Sequence, residues 1–406
     1  MAAVGSCVAL VGIFVNLIVG LSVGPNASLA TLIGQKRRGD INGMLHTIMT
    51  FGAILGIVLM GIGIGTAKII LEISGTPESV LPEALLYIRI YFISIPFMVI
   101  YNFGAAILRS FGDTRRPMFY LIITGVVNVA LNLFLVICCK LGVAGVAIAT
   151  LISNVLSAIL VMVYLCRRKD EFKFCFRNIG IEKKYLKNIL KIGIPAGVQG
   201  AIFSISNVFI QSGINSFGED AIAGSSLALN FEYFTYDISN AFAQAAVTFI
   251  SQNFGAGNIK RCKKIFWQCM AFGICFTEVL AVVFMIWDDF FVSIYTTSSA
   301  IAAFGLIRMH HVCALEGLTA TYEVESAALR GMGKSLGPAI ITILGTVVFR
   351  MIWLVTVFRL VPTYTMLMNV YVASWIFTGG AIFILLAIHM KKIMLIHGSG
   401  KISPMK

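Results

Sequence analysis

The sequence predicts an all-α integral membrane protein made of two pseudo-symmetric helical lobes, and three observations predict it. Of the 406 residues, 58% are hydrophobic and only 12% charged, with a mean hydropathy of +0.92, which leaves no polar exterior to face water. Apolar runs of about 20 residues, each able to cross roughly 30 Å of hydrocarbon as a helix, recur along the whole chain. Two stretches of the first half return, altered, in the second. The longest polar stretch, Arg167 to Lys191, is the length of a loop with a short surface helix, so an appended soluble domain is excluded.

Eleven spans follow in order, at 4–26, 45–71, 85–107, 118–138, 142–165, 189–213, 221–249, 264–287, 303–328, 337–358 and 366–390. Alternate connections carry the positive charge: Lys36/Arg37/Arg38, Arg109/Arg115/Arg116, the stretch Arg167 to Lys191, Lys260/Arg261/Lys263/Lys264, Arg330/Lys334, and Lys391/Lys392/Lys401/Lys406 hold 25 of the 31 basic residues. The connections between them hold Glu72, Glu78, Glu83, Glu219, Asp220, Asp288 and Asp289. By the positive-inside rule the basic connections and the C-terminus are cytoplasmic. The same scatter argues against nucleic acid, because a phosphate-binding stripe would be contiguous on one surface, although the formal charge is +13.

The nine cysteines show no metal or redox spacing and read as small packing residues. His310 and His311 open a span near the outer surface and read as interfacial packing.

The repeat is the strongest feature. AAILRSFGDTRRPMFYLIITGVV (105–127) matches SAALRGMGKSLGPAIITILGTVV (326–348), with Leu108, Arg109, Gly112 and Pro117 on Leu329, Arg330, Gly333 and Pro338 at an offset of 221. SLATLIGQKRRGDI (28–41) is set against AAVTFISQNFGAGN (245–258), with Gln35 on Gln252 at an offset of 217. Both pairs sit at cytoplasmic span ends, so the halves are parallel repeats, an arrangement that favours a transporter over a channel or an enzyme. The domain division is an N-terminal lobe 1–168, a cytoplasmic linker 169–188, a C-terminal lobe 189–392 and a cytoplasmic tail 393–406. Counted this way the first lobe has five spans where the second has six, and an N-terminal truncation, of the gene model or of the expressed chain, is expected.

ALRGMGKSLGP (328–338), its partner ILRSFGDTRRP (107–117), ISQNFGAGN (250–258), GVAGVAIAT (142–150) and GIPAGVQ (193–199) resemble the multidrug and toxin extrusion (MATE) transporters, in particular their bacterial branch. The resemblance runs from the second family helix to the twelfth. It implies two six-helix lobes, a cavity open alternately to each side, and export of organic cations or drugs in exchange for Na⁺ or H⁺, in a cell membrane, with no cofactor. The chain departs from the family in lacking the first helix, where many members carry a coupling Asp, and in having no acid within 189–213.

An ionisable group at mid-bilayer costs several kcal/mol and marks a pathway or a buried pair. Those left after the loops are removed are Glu232, Asp237, Glu278, Glu316, Glu323 and Glu325. Glu232, Asp237, Glu316 and Glu323 are the expected ion-coupling set, where a cationic drug and H⁺ or Na⁺ compete, so that one must leave for the other to bind. The alternative has them locked to Arg308, Arg350 or His310. Glu278, on a different helix, reads as structural or lobe-facing. Gln199, Asn207, Gln211, Asn128, Asn132, Tyr233 and Tyr236 are the candidate cavity lining, the amide pairs at i,i+4 sharing a face. Pro195, Pro96 and Pro25 are the hinge candidates. The competing functions are a flippase for lipid-linked sugars, which would want a cavity rich in Arg and Lys, and a membrane enzyme, for which no HxxxH or DxD pair is present. The expected partners are small organic cations and the bilayer, and the expected state is a monomer.

Overall fold

The computed structural model describes residues 2–73, 76–168 and 172–398, so the first three linker residues and the tail residues 399–406 lie outside it. The described residues form helices and connections, without strands. In order they are α1 (Ala2–Gly34), α2 (Arg38–Ile73), α3 (Leu81–Ser110), α4 (Arg115–Leu133), α5 (Gly142–Arg167), α6 (Lys183–Asn215), α7 (Glu219–Gly255), α8 (Ile259–Ile286), α9 (Asp288–Ser293), α10 (Ser299–His311), α11 (Gly317–Gly331), α12 (Leu336–Ile343), α13 (Phe349–Val355), α14 (Val357–Leu360) and α15 (Tyr364–Gly398). A π-helical turn follows α4 at Phe134–Cys138, and another joins α12 to α13 at Leu344–Val348.

Among the described residues, nine helical stretches are long and apolar enough to cross a membrane, and the pair Ser299–Leu315 with Gly317–Gly331 would make a tenth. That pair corrects the expectation of one continuous span at 303–328, because the two helices are bent by 42° at Glu316. The stretch expected at 221–249 is the 37-residue α7, which is not among the nine because it spends polar residues such as Glu232 on the protein interior rather than on lipid. Large apolar side chains such as Ile57 and Phe276 are more than half exposed, as a surface facing hydrocarbon requires.

By its contacts the chain divides into two compact units, 1–201 and 202–406, the division falling within α6. In the first, α3 packs against α1, α2 and α5, and α4 lies on α5. Gly56 admits the α3 backbone to α2, since a methyl group there would stand 2.6 Å from the Pro96 Cα. In the second, α7 packs against α8, α10 and α11, while α15 covers α10, α11 and α12. Pro25, Pro96 and Pro195 each lie inside an unbroken helix, and the bent break at Glu316 contains no proline.

Helix boundaries repeat with one offset. α1 ends at Gly34 and α7 at Gly255; α2 begins at Arg38 and α8 at Ile259; α3 ends at Ser110 and α11 at Gly331; α4 begins at Arg115 and α12 at Leu336, each pair separated by 221. The turns repeat too. Gly112 N–H donates to Arg109 O (2.8 Å) and Asp113 N–H to Leu108 O (3.0 Å), as Gly333 does to Arg330 (2.9 Å) and Lys334 to Leu329 (2.8 Å). Both glycines have positive φ, 85° and 77°, the left-handed C-terminal turn that glycine enters without cost. At the other pair of ends the left-handed residues are Lys36 (φ 57°) and Gly257 (φ 74°). This corrects the sequence register of that pair from 217 to 221: Gln35 corresponds to Ala256, and the identity with Gln252 is one helical turn out of step.

Candidate functional site

The second unit holds a buried polar cluster built from α6, α7, α8, α10, α11, α13 and α15. From α7, Glu232 is 6% exposed and accepts both Nε (2.5 Å) and Nη2 (2.8 Å) of Arg308 on α10. The Nη1 of Arg308 donates to Ser225 Oγ at 2.5 Å, two turns back along the same face of α7. This bidentate pairing is the strong form of a charge-assisted bond, and removing one partner would leave a buried uncompensated charge.

Arg350, on α13, is 1% exposed and reaches Ser374 Oγ of α15 through Nε (3.0 Å) and Asn207 Oδ1 of α6 through Nη1 (3.4 Å). Its partners are neutral, and its Nη2 has no hydrogen-bond partner among the described residues. Tyr371 of α15 lies between the two arginines, with its ring centre 4.6 Å from the Arg350 guanidinium and 5.3 Å from that of Arg308, a placement in which the ring face offsets part of the positive charge.

Glu316 stands at the break between α10 and α11, 4% exposed, with Oε2 unpartnered among the described residues. It is within electrostatic reach of Glu232, Arg308 and Arg350. The break itself is held by hydrogen bonds. Gly317 N–H donates to Glu278 Oε1 of α8 (3.0 Å), so Glu278 caps the start of α11. Thr319 Oγ1 donates to Glu316 O (2.6 Å), and a line of hydroxyls joins Thr319 to Ser239 (3.1 Å) and Ser239 to Thr277 (3.0 Å) across α11, α7 and α8.

The other expected site residues do not converge on this cluster as one set. Glu323 of α11 accepts the Tyr236 hydroxyl at 3.1 Å. Asp237 is exposed on α7, with no hydrogen bond or ion pair among the described residues. Tyr233 is 58% exposed, whereas Phe231 turns inward against Phe284, Phe291 and Tyr295. Asn132 Nδ2 donates to Asn128 Oδ1 (3.0 Å), while Asn132 Oδ1 is buried and unpartnered among the described residues. Gln211 donates to Asn215 (3.0 Å) while Asn207 turns to Arg350, and Gln199 is buried in the first unit. His310 bonds Asp288 at 2.7 Å on an exposed face. Glu325, left out of the coupling set, is 3% exposed with Oε2 unpartnered. Tyr371 and Ser374 were invisible as site residues; the only signal was that an arginine within the apolar run 337–358 needs polar neighbours somewhere. No group of three or more His, Cys, Asp or Glu among the described residues could hold a metal ion.

Among the described residues, an all-helical architecture of two register-matched halves, with a buried charge cluster inside one of them, is that of a multi-pass membrane protein. The chain belongs to the MatE family, whose profile matches residues 1–134 and 195–356, and members of that family are transporters rather than enzymes. Among curated proteins it is 28% identical over 352 residues to the probable multidrug resistance protein YoeA of Bacillus subtilis (strain 168), covering 84% of this chain and 76% of that one. It is 31% identical over 263 residues to the probable multidrug resistance protein YpnP of the same organism, of which it spans 58%. The multidrug export protein MepA of Staphylococcus aureus (strain NCTC 8325 / PS 47) is 23% identical over 79% of this chain and 71% of its own length. Among solved structures, the outward-facing conformation of a multidrug resistance MATE family transporter of the MOP superfamily superposes with a TM-score of 0.88 at 20% identity, covering 97% of this chain and 88% of that one. A MOP superfamily transporter from Pyrococcus furiosus, whose binding pocket is described as of reverse polarity, gives 0.88 at 21% identity, with the same coverages. These two likenesses bear on the fold.

Proposed function

We propose that this protein is a cation-coupled antiporter of the cell membrane that exports organic cations and drugs, with H⁺ or Na⁺ as the coupling ion, working as a monomer by alternating access with its C-terminus cytoplasmic. Relatives named as multidrug resistance or export proteins support the substrate class. The observation that carries the coupling is Glu316, a buried carboxylate with one oxygen unpartnered at a helix break. Of the four acids expected to couple, Glu232 is already neutralised by Arg308, so its part is to hold the cluster. Within the cluster, Glu316 is the acid left to take up a proton or Na⁺. With Glu316 ionised the cluster of two carboxylates and two arginines is neutral; with Glu316 protonated it carries a net positive charge that opposes an incoming organic cation. Glu323 with Tyr236, and Asp237 on the exposed face of α7, are the next positions a cation would meet. Pro25, Pro96 and Pro195 stay as candidate flexing points within their helices, and Gln199, Asn207, Gln211, Asn128, Asn132 and Tyr233 as candidate lining.

The test is efflux of a fluorescent organic cation from proteoliposomes under an imposed H⁺ or Na⁺ gradient. Gradient-driven efflux is expected, with Glu316→Gln abolishing its dependence on the gradient; efflux indifferent to both gradients would sink the reading. A second reading, a flippase for a lipid-linked anionic headgroup, is favoured by one observation, the buried Arg350 with a donor to spare. That reading expects transfer of a labelled lipid pyrophosphate across the bilayer and its loss in Arg350→Met.

A further inference from the structure

At an offset of 221, Lys263, Phe266 and Trp267 of α8 correspond to Asn42, Leu45 and His46 of α2. In the first unit this face is covered by the chain itself. Phe174 stacks on His46 with ring centres 5.1 Å apart, Cys175 N–H donates to His46 Nε2 (3.0 Å), and Glu182 N–H donates to Thr47 Oγ1 (3.1 Å), strapping 174–182 over the start of α2. Charges agree there: Asp40 accepts Lys184 Nζ at 3.2 Å.

In the second unit the same face is an open apolar groove of about 250 Å³ between α8 and α15, lined among others by Phe266, Trp267, Phe383, Met390 and Met394, with Lys263 its one charged residue. Trp267 and Phe383, 49% and 43% exposed, face each other across it at 6.4 Å. Beside it on α8 is a polar pocket carrying Lys260, Arg261 and Lys264. Lys260 and Lys264 precede Trp267 by seven and three residues, so the basic face and the apolar groove adjoin on one helix.

We propose that this groove binds an anionic phospholipid, one acyl chain lying against Trp267 and Phe383 and the phosphate headgroup over Lys260, Arg261 and Lys264. The groove opens where an acyl chain is available, between helices whose neighbouring side chains Phe272 and Ile384 are exposed apolar residues. Four basic residues and no acid line the two pockets, and clustered Lys and Arg at a span end select anionic over zwitterionic headgroups. The chain's own tail is the poorer occupant, since residues 399–406 carry Lys401 and Lys406 and no acid to set against that rim.

The test uses the full chain in phosphatidylcholine vesicles containing a minor fraction of phosphatidylglycerol, with bromine placed on the acyl chains of one lipid or the other. Tryptophan quenching in the wild type minus that in Trp267→Phe isolates the groove. Brominated phosphatidylglycerol is expected to quench Trp267 more than brominated phosphatidylcholine at equal mole fraction. Lys260→Gln, Arg261→Gln and Lys264→Gln should each weaken that preference roughly fivefold. Equal quenching by the two lipids, or a preference that survives the triple variant, would overturn the proposal. So would a deletion of 399–406 that raises quenching by both lipids alike, because the tail would then be what covers the groove.

Discussion

Position 96 of the first half and position 317 of the second are equivalent, and the two halves solve opposite problems there. In the first, Pro96 lies inside the unbroken α3 and packs against Gly56 of α2. In the second, Gly317 follows a 42° break, and its liberated N–H is caught by Glu278 of α8. Proline has no N–H to give up, so the first half needs no acid on the facing helix, and the residues corresponding to Glu232, Glu278 and Glu316 are Val11, Ile57 and Ile95. The difference teaches that a shared helical scaffold can be apolar and continuous in one copy while the other breaks a helix, and the break is where buried charge accumulates.

The comparison is broken most severely at the ion pair. Glu232→Ala or Arg308→Ala alone is expected to destabilise by about 3–5 kcal/mol, seen as lost thermal stability in detergent, because the survivor is left charged and buried. The double replacement Glu232→Met with Arg308→Met should restore most of that stability, and a double variant as unstable as the singles would show that the pair is more than a lock. Gly56→Ala presses a methyl group on the Pro96 backbone and should cost about 1–3 kcal/mol. At Gly317→Ala the nearest atoms belong to the Glu278 side chain, which can turn aside at the expense of its cap on α11, so the cost should be smaller, and an equal cost would contradict the asymmetry. Glu278→Ala removes the cap of α11, a loss of about 1 kcal/mol by the same assay.

The strap of the first unit adds a dependence on acid. The Tyr185 hydroxyl, bonded to Asp40 at 2.5 Å, and then Lys184 and Arg37, hold the Asp40 carboxyl below its ordinary value. A carboxyl lowered in the folded state adds stability above its ordinary pKa, and that contribution is lost as pH falls through the lowered value. Proteolysis within 172–182 should therefore rise on acidification, and Asp40→Asn should show the increased cleavage already at neutral pH. The smallest effect is at Lys36, left-handed where its counterpart is Gly257. Lys36→Gly is expected to change stability by no more than about 1 kcal/mol, relief of strain opposing the greater freedom of the unfolded chain.

Much of this was legible in the sequence because a bilayer constrains it so tightly. Span length follows from the thickness of hydrocarbon, and the repeat around Leu108 and Leu329 shows as matched residues that fold into matched turns. The break at Glu316 was not legible, since the run 303–328 contains no proline and its apolar pattern continues through it. The register of Gln35 against Gln252 failed by one turn, which preserves the helix face and so escapes any test by pattern; only the left-handed turns at Lys36 and Gly257 fix it. Acids stood out individually by the cost of burying them, but their partners did not, because Arg308 is 76 residues from Glu232 and only folding brings them together. Neighbours in sequence on a helix face different ways, so Phe231 packs inward against Phe284 while Tyr233 stays exposed, and sequence adjacency to Glu232 could not separate them.

The most direct test of the claim that the charged half couples transport is substrate-induced release of H⁺ or Na⁺ from the purified protein, measured for the wild type, Glu316→Gln and the Glu232→Met/Arg308→Met pair. Addition of an organic cation should displace the coupling ion from the wild type and displace none from folded Glu316→Gln, which is the result the account predicts. Displacement undiminished in Glu316→Gln would contradict it and move the coupling site out of this cluster.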